Sequence, residues 1–177
     1  MGDDETDLSE SGLWGVHLLI LVVLGTHELP FTRLLEEVER LKREGIINEE
    51  VIVQAGHTKF DSDLLTIKPF VNYEVMDQLM EDARLVITHA GTGSVISALK
   101  KGKKVIAAAR LKKYGEHNDD HQQQLMSIFL EQKHILSWGE GEDLGKIIQE
   151  AEHFEPEPFQ SGKERMFAIL SNFIKEA

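Results

Sequence analysis

The sequence predicts an α/β fold built on a doubly wound parallel sheet. Aliphatic runs typical of buried strands alternate with amphipathic helical patterns, and the connections between them are short. No internal repeat or long low-complexity segment interrupts this alternation, and the length of 177 residues suits one domain. We expect an acidic, flexible tail over residues 1–15, followed by one folded domain over residues 16–177.

The first half of the chain contains three predicted strands and two predicted helices. The continuous aliphatic run 16–24 is typical of a strand buried on both faces. Apolar residues at helical spacing follow Pro30, and Gly45 ends this first helix. Two more strands are predicted at 50–54 and 64–68, and Asn72 is predicted to cap the second helix.

The second half continues the alternation of strands and helices. A strand at 84–88 and a helix at 95–101 precede a strand at 104–109. The remaining predicted elements are a helix at 118–132, a weak strand at 134–137, and helices at 142–152 and 161–175. The last helix has a broad apolar stripe, which we expect to pack on its own sheet, with docking to a partner as the alternative.

Charge and composition exclude several classes of protein. The chain has 19 Lys and Arg against 31 Asp and Glu, and this net charge of -12 is unsuited to general nucleic-acid binding. The absence of cysteine excludes a disulfide framework, a thiolate zinc site and a cysteine nucleophile. The run 16–24 is much shorter than the roughly 20 residues that span a bilayer. The acidic segment before it has the wrong charge for a signal peptide, so we expect a soluble protein.

Ligands of parallel sheets bind beyond the carboxyl ends of the strands, and two loops at such positions favour an anion. The first loop, 25–28, combines Gly25 with the hydroxyl of Thr26, although a plain tight turn explains it equally well. The second loop, 88–94, places two glycines and two hydroxyls at a helix N-terminus, where free N–H groups favour a phosphate or diphosphate. It matches neither the Walker pattern nor the three-glycine dinucleotide fingerprint, and a structural turn is the alternative.

The third loop, 112–124, is dense in carboxylate, imidazole and amide groups. These groups suit hydrogen bonding to the vicinal hydroxyls of a sugar, and the alternative is a solvated start of a helix. His117 and His121 also have the i, i+4 spacing of some zinc helices. The glutamate of a His-Glu-x-x-His motif is missing and no third ligand is evident, which disfavours a metal site.

Taken together, these segments resemble a known family. The residues that carry the resemblance are 24–27, 87–94, 102–104 and 112–122, in this order and at similar spacing. They look like the catalytic subunits of two-component UDP-sugar transferases, both the bacterial exopolysaccharide subunits of the PssE type and the eukaryotic subunit that adds the second N-acetylglucosamine to dolichol-linked oligosaccharide. The run 110–117 resembles the bacterial branch more closely. Both branches belong with the donor-binding half of glycosyltransferase family 28, and the resemblance covers about residues 20–150.

The resemblance implies one half of a GT-B enzyme, a Rossmann-like UDP-sugar-binding domain. It implies that a separate, membrane-anchored glycosyltransferase subunit binds the acceptor, a lipid-linked saccharide. It also implies a cytoplasmic protein that is peripheral to the membrane through this partner. The family requires no metal and no cofactor beyond the UDP-sugar donor, and nucleic acid is not an expected partner.

The resemblance also assigns roles to individual residues. It implies that the diphosphate lies against the first two loops, that the backbone at Phe70 and Val71 contacts uracil, and that the third loop contacts the sugar. Many members have a Glu that binds the ribose where this chain has Ser97. His27 and His117 are the local candidates for the general base, unless the base lies in the partner. The implied diphosphate residues are Gly25, Thr26, His89, Gly91, Thr92, Gly93 and Ser94, and the implied sugar residues are Glu116, His117, Asp120, Gln122 and Gln123.

Three other functions compete with this hypothesis. An inactive nucleotide-sugar-binding module fits the serine at position 97 and the acidic tail. A GT-B epimerase is disfavoured because those enzymes contain both halves in one chain. A metal-dependent hydrolase needs a zinc site at His117 and His121.

Overall fold

The computed structural model describes residues 18–119, 121–160 and Gly162. Its strands form one six-stranded sheet in which every pairing is parallel, in the order β3-β2-β1-β4-β5-β6. This arrangement confirms the predicted doubly wound fold. The strands are β1 (Leu19–Val23), β2 (Glu50–Gln54), β3 (Thr66–Lys68), β4 (Ala83–His89), β5 (Lys104–Ala108) and β6 (Leu136–Trp138), and the α-helices are α1 (Thr32–Arg43), α2 (Tyr73–Asp82), α3 (Thr92–Lys100), α4 (His121–Glu131) and α5 (Leu144–His153).

The aliphatic run predicted as a doubly buried strand is β1, at the centre of the sheet. All five of its residues are buried, and its neighbours are β2 and β4. Ile20 and Val22 face the core under α1 and α5, whereas Leu21 and Val23 face the core under α2 and α3. A strand covered on both faces needs apolar side chains at every position, which explains its unbroken hydrophobicity.

Local signals place the helices where the sequence predicted them. The side chain of Asn72 accepts a hydrogen bond of 2.8 Å from the N–H of Val75 and caps α2. Helix α1 buries its apolar face through Leu34, Leu35, Val38 and Leu41. Beyond the end of α1, Gly45 has a positive φ of 73°, a conformation that glycine adopts without strain.

The observed elements differ from the predicted ones in detail. Helix α4 begins at His121 rather than at 118, and a short 3₁₀ helix at Lys112–Tyr114, which the sequence analysis did not predict, precedes it. The predicted tail 1–15 and nearly all of the predicted helix 161–175 lie outside the described residues. Within the described ranges, no helix is long and apolar enough to cross a bilayer.

The order of the strands creates a switch point between β1 and β4. The chain proceeds outward from β1 through β2 and β3, then returns to pair β4 with the other side of β1. The loops that leave the carboxyl ends of β1 and β4 therefore diverge to opposite faces of the sheet. A crevice opens between such loops, and it is the usual ligand site of this architecture.

Candidate functional site

A cavity of about 400 Å³ lies at this switch point. Part of its wall is apolar and comes from Val23, Met76 and Met80. Four separate segments of the chain supply the rest, and several of the predicted ligand-binding residues converge there. Those that line it are Gly25, Thr26, Phe70, Val71, Gly93, Ser94 and Ser97.

The buried side chain of Gln54, at the end of β2, holds the first loop in place. Its Oε1 accepts a hydrogen bond of 3.0 Å from the Gly25 N–H, and its Nε2 donates to the carbonyl of Gly25 at 3.0 Å. The same Nε2 donates to the carbonyl of Pro69 at 3.2 Å, directly before Phe70. Gln54 therefore sets the distance between two walls of the cavity. Gln54 was not among the residues predicted from the sequence, although a glutamine at the end of an apolar strand was the available signal.

The second loop ends in the N-terminus of α3. Gly91 is the N-cap residue, and the first backbone bond of the helix runs from the Val95 N–H to the Gly91 carbonyl. The N–H groups of Thr92, Gly93 and Ser94 belong to the first turn of α3. N–H groups of a first turn have no carbonyl partner within their own helix. These groups and the helix dipole together favour an anion at this end of the cavity.

His89 lies behind both loops, between two glycines. A Cβ on Gly25 would come within 2.4 Å of the His89 Nε2, and a Cβ on Gly91 within 2.1 Å of its Cε1. The two glycines are therefore needed to accommodate the imidazole. Burial is the largest cause that lowers the pKa of His89, which is about 4. The charge of Arg110 and the neighbouring histidines lower it further. His89 is thus a neutral packing group at pH 7.

The two candidate bases, His27 and His117, are neighbours. Their ring centroids lie 4.5 Å apart. The Nδ1 of His27 accepts from the Leu29 N–H at 3.1 Å, and the Nδ1 of His117 accepts from the Asp119 N–H at 3.2 Å. In the neutral His27 ring the bond from Leu29 assigns the proton to Nε2, which is then a donor rather than a basic lone pair. The Nδ1 of His117 also lies 3.1 Å from the carbonyl oxygen of Asp119 and 3.3 Å from its Oδ1, so either nitrogen of that ring can carry the proton. Burial, His117 and Arg110 lower the pKa of His27, which keeps its ring neutral.

Glu116 is not among the residues that line the cavity at the switch point, although the resemblance implies that it contacts the donor sugar. The carboxylate is buried, with the residue 3% exposed. It accepts from the Nε of Arg33 at 2.9 Å and from a second nitrogen of the same guanidinium at 3.0 Å. It also accepts from the Leu111 N–H at 2.9 Å. With these bonds made, Glu116 is a structural anchor of the third loop.

The other predicted sugar-binding residues are divided between two environments. Gln122 accepts a long hydrogen bond of 3.4 Å from the Arg110 N–H, whereas Gln123 lines a second cavity of about 480 Å³ beside Trp138. Asp120 and the side chain of His121 lie outside the described residues. Among the side chains that are described, no group of three His, Asp or Glu could hold a metal ion.

Comparisons with known proteins point to one family. The family described as "Glycosyltransferase family 28 C-terminal domain" matches residues 19–176. A relative from Yarrowia lipolytica, "UDP-N-acetylglucosamine transferase subunit ALG13", is 29% identical over 178 residues, which cover 89% of this chain and 86% of the relative.

Solved structures show the same fold. An NMR structure of ALG13 aligns with a TM-score of 0.55 at 19% identity, covering 87% of this chain and 94% of that chain. A crystal structure of the kitacinnamycin glycosyltransferase aligns with a TM-score of 0.55 at 16% identity, covering 86% of this chain and 38% of that chain. These structural likenesses concern the fold alone.

Proposed function

Because the chain belongs to the glycosyltransferase family 28 C-terminal domain family, we propose that it is the donor-binding subunit of a two-component UDP-sugar transferase. Membership in this family confirms the resemblance seen in the motifs and makes the chain a glycosyltransferase of the GT-B type. The observation that carries the proposal is the cavity at the switch point, where residues predicted to bind the diphosphate meet those predicted to bind uracil and ribose.

In this proposal the nucleotide lies along the cavity. Uracil contacts the backbone at Phe70 and Val71, and the ribose lies toward Ser97, all of which line the cavity. The diphosphate lies at the first turn of α3, against Gly93 and Ser94. This orientation is supported by the match between the apolar end of the cavity and the base, and between the helix N-terminus and the anion.

The proposed chemistry is a displacement at C1 of the donor sugar. The bond from C1 to the acceptor hydroxyl oxygen forms while the bond from C1 to the β-phosphate oxygen breaks, and the hydroxyl proton passes to a base. The leaving UDP gains negative charge in this step. Fixed N–H groups at residues 92–94 stabilise that charge without a metal, and one such donor is typically worth about 3–4 kcal/mol.

We place the general base in the partner rather than in this chain. His27 uses its Nδ1 as the acceptor of the Leu29 N–H, so its Nε2 carries the proton and donates a hydrogen bond. A base needs an unprotonated nitrogen within reach of the acceptor hydroxyl, which His27 does not provide. The Nδ1 of His117 contacts both the N–H and the carbonyl oxygen of Asp119, so His117 is the residue of this chain to test against a base in the partner.

The partner is proposed to be a membrane-anchored, acceptor-binding subunit. The relative from Yarrowia is named a subunit of a UDP-N-acetylglucosamine transferase, and the similarity covers most of both chains. We therefore propose N-acetylglucosamine as the first donor sugar to test and a lipid-linked saccharide as the acceptor. The protein would then be cytoplasmic and peripheral to the membrane through its partner.

Titration of the full chain with UDP, followed by backbone amide NMR, tests the donor site. We expect shifts at residues 25–27, 70–71 and 91–94 that are unchanged by EDTA. Gly93→Ala adds a methyl group to the cavity wall, where no atom lies within 4 Å of the new Cβ, so it is expected to weaken UDP binding without unfolding the protein. Gly162→Ala is the matched control, since its new Cβ also has open space.

Two outcomes would contradict the proposal. Wild-type protein whose loop amides stay unchanged at millimolar UDP, alone and with the partner, would show that the cavity is not a nucleotide site. Binding of UDP without sugar transfer in the presence of the cognate partner would instead favour the inactive nucleotide-sugar-binding module, for which the short Ser97 side chain at the ribose position is the supporting observation.

A further inference from the structure

Arg110 follows β5 and is fully buried, with only 1% of its surface exposed. Its guanidinium donates to the carbonyl of Leu24 at 2.9 Å and to that of Leu29 at 2.6 Å, at the two ends of the first loop. It also donates to the carbonyl of Glu116 at 3.2 Å, in the third loop. One side chain therefore joins the two loops that lie beside the proposed diphosphate and sugar.

The charge of Arg110 has no directly bonded counter-ion in the described part of the chain. Its described hydrogen bonds go to carbonyl oxygens, and its buried Nε has no partner there. The nearby Glu116 carboxylate is already bonded to Arg33 and to the Leu111 N–H. Glu116 is thus hydrogen-bonded to Arg33, whereas the guanidinium of Arg110 lies beneath the loops without a described hydrogen bond to a carboxylate.

Arg110 keeps its proton at neutral pH despite this burial. Desolvation lowers the pKa of its guanidinium to about 10, and the nearby charge of Glu116 opposes the shift. The same positive charge contributes to the lowered pKa values of His27 and His89. Arg110 is therefore the fixed cation of this region, whereas the imidazoles beside it are neutral.

We propose that Arg110 is a positioning residue of the donor site, holding both loops through their carbonyls and supplying a buried positive charge that attracts the diphosphate. The inference depends on the proposed function. In a trans peptide, N–H and C=O point in opposite directions. The bond from Arg110 to the Glu116 carbonyl therefore turns the His117 N–H to the opposite side, and the bond to Leu24 turns the Gly25 N–H toward Gln54.

The test compares UDP with uridine, because only UDP has a diphosphate. Arg110→Met is expected to weaken UDP binding by roughly tenfold or more, since the lost charge acts on a diphosphate with at least two negative charges, and to leave uridine binding within about twofold. Arg84→Met is the control: it removes one positive charge from the residue that pairs with Glu49, at the opposite end of β4. We expect it to change neither affinity.

A second measurement distinguishes the effect of the positive charge of Arg110 from the effect of its hydrogen bonds to the loops. The pKa of the His27 imidazole, followed by NMR, is expected to rise in Arg110→Met and to stay low in Arg110→Lys. The other charged or titratable groups that act on His27 are His117, Glu28 and Asp119, and neither substitution alters them. If Arg110→Met does not fold, Arg110→Gln decides, because glutamine is also uncharged but can still donate a hydrogen bond; a fall in UDP affinity with unchanged uridine affinity is the expected result.

The possible failures are distinguishable. Equal losses of UDP and uridine affinity in the folded, uncharged variants, or an unchanged affinity for UDP in them, would refute the role of Arg110 and leave the nucleotide site intact. A wild-type protein that binds neither ligand, alone or with the partner, would refute the proposed function itself.

Discussion

Replacing Gln54 with leucine removes the side chain that joins the first loop to the segment before α2. Three hydrogen bonds disappear: one from the Gly25 N–H and two from Nε2 to the carbonyls of Gly25 and Pro69. At a typical net value of about 1 kcal/mol each, their loss predicts a decrease of roughly 3 kcal/mol in the free energy of unfolding. The leucine has a similar volume, so no large cavity adds to this cost.

Equilibrium unfolding in urea measures this change, and UDP titration of the same variant measures the effect on the site. We expect weaker UDP binding, because the first loop and the Phe70 segment lose their shared anchor. Gln78→Leu is the matched control: Gln78 is exposed on α2 and bonds only to Asp82 among the described residues. A loss in Gln54→Leu below about 1 kcal/mol, no larger than in the control, would refute the reasoning.

Two further predictions concern charge at the site. Since the folded-state pKa of His89 is about 4 and its ordinary value is 6.5, the unfolded chain binds the additional proton as pH falls between these values. Because of this histidine, the free energy of unfolding should decrease by roughly 3 kcal/mol as the pH falls from 6.5 to 4. In urea unfolding, the stability of His89→Asn should depend less steeply on pH than that of the wild type. Identical pH profiles of the two proteins would contradict a buried, neutral His89 ring. Ser97→Glu places a carboxylate at the predicted ribose position and should tighten uridine binding by roughly fivefold, since hydrogen bonds to charged groups are the stronger ones. Ser97→Gln is its uncharged control, and calorimetry that finds no gain in Ser97→Glu would show that the ribose lies elsewhere.

The fold was predictable because its signals are local. A central parallel strand must be apolar at every position, and the run ending at Val23 meets that requirement. A helix start needs an acceptor for its first N–H groups, and Asn72 provides one three residues before its donor. The strand order was not predictable in this way, because the rule of right-handed crossovers fixes the hand of each connection and not which strands become neighbours.

The candidate site was predictable only in part. Glycines and hydroxyls after a strand indicate an anion site without any knowledge of distant residues, and this places Gly93 and Ser94 in the cavity wall. The supporting residues depend on pairings that no local pattern reveals. Arg33 bonds to Glu116, which lies 83 residues away in the sequence, and Arg110 bonds to Leu24, which lies 86 residues away. The Glu116 carboxylate in a polar loop therefore suggested a sugar contact, although in the structure it bonds to Arg33 and to the Leu111 N–H.

The histidine between two glycines constrains how this region can change over evolutionary time. With His89 present, any side chain at position 91 overlaps its ring, so a substitution there becomes accessible only after the imidazole has been replaced by something smaller. Position 25 favours glycine even then, because its φ of +74° strains a residue that has a side chain. The order of mutations therefore matters: a shrinking change at position 89 must come first, and its reversal is blocked once position 91 has gained a side chain. The three sites should be inherited as one unit, and a chimera that exchanges the β1 loop without the β4 loop would combine incompatible partners.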